Sequence, residues 1–131
     1  MNRRQMIAAL AMGAASLTAP MASADKMAAK ASGTFTGLSN HVTTGGVSII
    51  EEDGRIYVEL AEDFSLDGGP DPRVHFGKGG AHDAGAYLGA LVSLEGKQRY
   101  AVPPTWDVSD YNEVYIWCEV ASVPLGVAGL E

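Results

Sequence analysis

From Thr34 to the C-terminus, apolar and polar positions alternate in short runs broken by Gly, Pro and Asp, and no stretch keeps a helical period over three turns. The sharpest unit is VSIIEEDGRIYVEL, residues 47 to 60. Asp53-Gly54 favours a two-residue type I′ turn, because both central positions of that turn need φ > 0. Closing it predicts the pairs Glu52 with Arg55, Ile50 with Tyr57, Ile49 with Val58 and Val47 with Leu60. Val47, Ile49, Ile56, Val58 and Leu60 then share one face, interrupted only by Glu51, while Ser48, Glu52, Arg55 and Glu59 share the other.

TFTGL, PRVHFGK, YLGALVSL, QRYAVP and EVYIWCEV read as further strands, with Glu95-Gly96 turning the chain before Gln98. LDGGPDP, GKGGAHDAG and VPPTWDVSD read as loops. Strands at this spacing, without helices, predict an all-β fold, an antiparallel sandwich or barrel of about seven to eight short strands. Residues 33–131 form its single domain, and 25–32, small and unpatterned, form a flexible leader.

The first 24 residues stand apart. Arg3 and Arg4 precede an uncharged Ala-rich stretch too short to span a bilayer, and Ala22-Ser23-Ala24 has the small-residue pattern of a signal-peptide cleavage site. NRRQMIAAL resembles a twin-arginine export signal, which leaves two export routes open. The expectation is a periplasmic or secreted protein with no membrane anchor after cleavage. Seven of the nine Lys and Arg residues remain beyond residue 24, against all sixteen acids, a net charge of −9. That balance argues against nucleic acid, which needs clustered cations, and suits a solvated surface or a basic redox partner.

Export sharpens the one chemical oddity of the chain, its single cysteine, Cys118. Exported proteins usually pair their cysteines or lack them. Alternation along EVYIWCEV sends Cys118 inward with Val114, Ile116 and Val120, and sends Tyr115 and Trp117 to the opposite face beside Glu113 and Glu119. A buried thiol of this kind either packs as a small apolar group or is held for redox or ligation. No CxxC or CxxCH occurs, which excludes a thioredoxin-type dithiol and covalently attached c-type haem.

HVTTGG followed by VSIIEE, then FSLDGGPDPRVHF, then VYIWC and LGVAGLE, resembles the DM-thirteen domain over about residues 33 to 131. Gly69-Pro70-Asp71 and Trp117-Cys118 are the most specific elements. The resemblance implies an extracytoplasmic electron-transfer domain in which Cys118 acts as a bare redox thiol or as a haem ligand, with His41 and Trp117 as the other cofactor-binding residues. The alternative is a non-catalytic exported binding module with a structural cysteine.

Other residues carry weaker signals. Gly68-Gly69-Pro70-Asp71-Pro72 is a turn by composition, and Asp63, Asp67 and Asp71 lack the order of a calcium loop. His41, His75 and His82 share no ligand spacing, so no metal site is signalled, and His75 is expected on the solvent face opposite Val74 and Phe76. Trp106 and Tyr111 flank a Pro-rich loop, where aromatic rings either stack on a flat ligand or cover a core edge. No GxSxG elbow supports a hydrolase.

Overall fold

A computed structural model describes residues 27–131; the expected export segment and cleavage site fall outside the described residues. Among the described residues ten strands follow one another: β1 Met27–Gly37, β2 Thr43–Thr44, β3 Gly46–Glu52, β4 Arg55–Leu60, β5 Ser65–Leu66, β6 Pro72–Lys78, β7 Ala81–Ala90, β8 Gln98–Ala101, β9 Glu113–Cys118 and β10 Val123–Gly129. Eight form one antiparallel sheet in the order β7-β6-β9-β10-β1-β3-β4-β8, and β2 pairs with β5 apart from it. The sheet wraps into a nearly closed barrel, so the all-β expectation holds.

The β3–β4 hairpin has the register read from its alternation, with Glu52 opposite Arg55 and Val47 opposite Leu60. Asp53 and Gly54 both take positive φ, 53° and 82°, as a type I′ turn requires. Val47, Ile49, Val58 and Leu60 are buried on the inner face. On the outer face Arg99 of β8 reaches Glu52 at 2.7 Å and Glu59 at 3.1 Å and lies over the Tyr57 ring.

β1 makes the corner of the barrel. Its first part pairs with β3 and its last residues, Phe35 to Gly37, with β10. Gly33 sits where it changes partners: a Cβ there would lie 2.0 Å from the carbonyl oxygen of Gly129, so only glycine fits. The expected flexible leader is therefore corrected from Met27 onward, since Met27 to Ser32 are held in the β3 ladder. The opposite seam, between β7 and β8, closes through side chains. Val92 N–H donates to Tyr100 Oη at 2.9 Å, and the Tyr100 hydroxyl donates to Gln98 Oε1. Phe64, Phe76, Leu60, Ile116 and Leu125 fill the interior. Burying one such side chain stabilises a fold by roughly 1.5–3 kcal/mol.

Two further expectations need correcting. GKGGAHDAG is not a loop: Gly79 and Gly80, at φ 66° and 89°, make a tight turn, and β7 runs from Ala81. YLGALVSL is strand only as far as Ala90, where β7 ends, and Leu91 to Leu94 lie outside any strand.

Candidate redox site

Cys118 is the last residue of β9, opposite Pro72 of β6 and Val123 of β10. A four-residue turn, 119 to 122, follows, closed by Ser122 N–H donating to the Cys118 carbonyl at 2.8 Å. The thiol is 1% exposed and belongs to the core cluster with Val74, Ile116 and Leu125. The inward direction read from alternation is correct for Cys118, Val114 and Ile116. It fails for Val120, which is 71% exposed because the strand has already ended.

The segments that carried the resemblance meet at this end of the barrel. Leu38 N–H donates to the Leu125 carbonyl, which also accepts from the buried Thr43 hydroxyl at 2.8 Å. Ser39 Oγ donates to the Pro124 carbonyl at 2.6 Å. Glu119 N–H donates to the Asp71 carbonyl, and the Asp71 carboxylate is held by Arg73 through Nε and Nη2. Gly69 lies against Leu125, leaving 3.0 Å between an added Cβ and Leu125 Cδ1. The sequence-distant loops 38–42, 67–71 and 119–122 thus form one cap over the cysteine end.

His41 belongs to that cap. Its Nδ1 lies 2.8 Å from Asp67 Oδ1, and Val42 N–H donates to Asp67 Oδ2 at 3.0 Å. The Val42 bond, helped by His41, holds the Asp67 carboxyl below its ordinary value. The three aspartates considered for calcium are spent separately: Asp63 accepts from Gly46 N–H, Asp67 from Val42, and Asp71 pairs with Arg73.

A haem does not fit these residues. A porphyrin on Cys118 Sγ needs open apolar space against the sulfur, and that space is occupied by core side chains at 0–1% exposure. His41 is part-exposed on the cap and engaged with Asp67, while Cys118 lies in the closed interior.

Trp117, one residue earlier, faces outward. It stacks on His82 with centroids 3.6 Å apart and planes at 13°. His75 and His82 are 5.1 Å apart edge to face, and Tyr87 packs on His75 at 5.2 Å. His75 occupies the face opposite Val74 and Phe76, but it is 3% exposed, which corrects its expected solvent position: the rings of His82 and Tyr87 cover it. Sequence spacing hid this cluster because the two histidines, seven residues apart, meet only across the β6–β7 hairpin, with Gly77 opposite His82 and His75 opposite Tyr87. The Gly79-Gly80 turn was the available signal.

Trp106 and Tyr111 cover a core edge. Tyr111 stacks on Phe76 at 4.8 Å and 2°, and Trp106 lies 6.4 Å from the same ring. Trp106 also lines a cleft of about 580 Å³ with Ile56, Tyr57, Val102 and Pro104.

The family model described as Electron transfer DM13 matches residues 34–130. The chain belongs to the DM13 family. The match runs from the end of β1 through β10, including the cap, Cys118 and the outer ring cluster. No curated protein and no solved structure matches the chain.

Proposed function

We propose that this DM13 domain is an exported, periplasmic carrier of single electrons whose redox group is the bare thiol of Cys118. Membership of an electron-transfer family supports the reaction class. The observation that carries the choice of group is the 1% exposure of a sole cysteine beneath a three-loop cap. Such burial excludes soluble disulfides and alkylating agents, whose attack needs contact with sulfur, yet an electron needs no contact. In the oxidising step the S–H bond breaks, one electron passes to an oxidised centre of a partner protein, and the proton reaches water as the exposed 119–122 turn next to Cys118 opens. Reduction reverses both transfers. The acidic surface favours a basic partner.

A second reading, an exported binding module in which Cys118 only packs, is favoured by the same apolar surroundings. One experiment separates the two. The folded protein is mixed with a cationic one-electron oxidant strong enough to oxidise a thiol, photogenerated tris(bipyridine)ruthenium(III), and electrons given up by sulfur per chain are counted by frozen-solution EPR for wild type and Cys118→Val. The redox reading expects one electron in the wild type and loss of it in the variant. Equal donation by both proteins defeats it and leaves the structural cysteine. Added haem is expected to give no thiolate-ligated Soret band.

A further inference from the structure

We propose that the outer face of β6, β7 and β9 holds a two-imidazole site for a late first-row transition ion, copper above all, built from His75 Nε2 and the His82 ring. The site does not depend on the role of Cys118.

His75 Nδ1 lies 3.0 Å from the Asp83 carbonyl oxygen. A carbonyl can only accept, so Nδ1 carries the hydrogen and Nε2 keeps its lone pair. That lone pair is buried and has no hydrogen-bond partner, the only such side-chain atom among the described residues. Native structures rarely leave a buried acceptor unpaired without a use. A carbonyl or carboxylate on the far ring nitrogen is also the usual way a metal-binding imidazole is oriented.

The neighbouring His82 supplies a second imidazole. Its centroid lies 5.1 Å from that of His75, with the planes at 82°. Two imidazoles bound side by side to one ion, with metal–nitrogen distances of about 2.0–2.1 Å, place their centroids about 4.5–5.2 Å apart between square-planar and tetrahedral angles. Among the described residues no third His, Cys, Asp or Glu completes a cluster, so the remaining positions fall to water or to a donor from a partner, admitted as the part-exposed His82 ring moves off the buried Nε2. An incomplete nitrogen site favours the ion that binds imidazole most strongly, which is copper. Arg73, the nearby cation, is neutralised by Asp71.

Trp117 provides the readout, because it stacks on His82. In a Trp106→Phe background, where Trp117 is the sole tryptophan, the folded protein is titrated with Cu(II). Saturable one-to-one quenching is expected, with nitrogen hyperfine structure from two imidazoles in the EPR spectrum. His82→Phe, which keeps a ring on Trp117, and His75→Phe are each expected to weaken binding by roughly tenfold or more. His41→Ala is expected to change nothing. Absence of saturable quenching, quenching that survives both Phe variants, or quenching abolished by His41→Ala overturns the proposal. Should His75→Phe fail to fold, His82→Phe decides, since that ring lies nearer the surface.

Discussion

Replacing Cys118 by serine and by alanine probes the wall around the sulfur directly. Serine keeps the size of the side chain and exchanges an apolar thiol for a hydroxyl. At 1% exposure, among Val74, Ile116 and Leu125, on strands whose backbone groups are already paired, that hydroxyl finds no new partner. An unsatisfied buried hydroxyl costs about 1–3 kcal/mol. Alanine removes the sulfur atom and leaves a void smaller than a methyl-lined cavity, at about 1–1.5 kcal/mol. The smaller, emptier variant is therefore expected to be the more stable of the two. Cys118→Val, a near-isosteric exchange, costs on the order of 1 kcal/mol or less. Urea unfolding followed by tryptophan emission measures these differences, provided the slope with denaturant stays constant across the set. In a domain of this size each kcal/mol moves Tm by about 4–8 °C. A serine variant as stable as wild type, or more stable than alanine, refutes the reasoning: the sulfur would then sit in polar or hydrated surroundings, and the shielded-thiol mechanism would lose its basis.

Gly33→Ala drives a Cβ to 2.0 Å from the Gly129 carbonyl, a backbone clash that no rotamer relieves, and is expected to cost about 3 kcal/mol or more by chemical denaturation. Tyr100→Phe removes the hydroxyl that accepts from Val92 N–H and donates to Gln98, and is expected to cost about 1 kcal/mol and to speed amide exchange at Val92. Asp67 titrates below its ordinary 3.8 when folded, so its contribution is complete above that pH and is lost as pH falls through the folded value; Asp67→Asn is expected to flatten the acid limb of the stability curve. His75, lowered chiefly by burial and facing His82, Glu119 and Arg73, favours the folded state fully above pH 6.5 and progressively less as pH falls through its folded value. His75→Phe is expected to abolish that loss in denaturation series between neutral and mildly acid pH.

The alternation within VSIIEEDGRIYVEL determined a hairpin to the residue, because a period of two and an Asp-Gly turn leave one register that buries the apolar face. The same logic aimed Cys118 inward and Trp117 outward, since neighbours on a strand must oppose each other. It failed where tertiary partners outweigh local pattern. Met27 to Ser32 carry no amphipathic signal, yet β3 offers them an unpaired edge. Val120 continues the apolar alternation, but β10 must return beside β9, so the chain turns first and leaves the side chain in solvent. His75 was assigned to the right face and the wrong environment, because face is a property of one strand and burial is a property of what lies over it. Only the folded chain could gather His41, the Asp67–Asp71 loop and Cys118 at one end, and His75, His82 and Trp117 on one wall: apart from the local His75–His82 pair these contacts cross tens of residues, and their pairing is set by which strands the barrel makes neighbours.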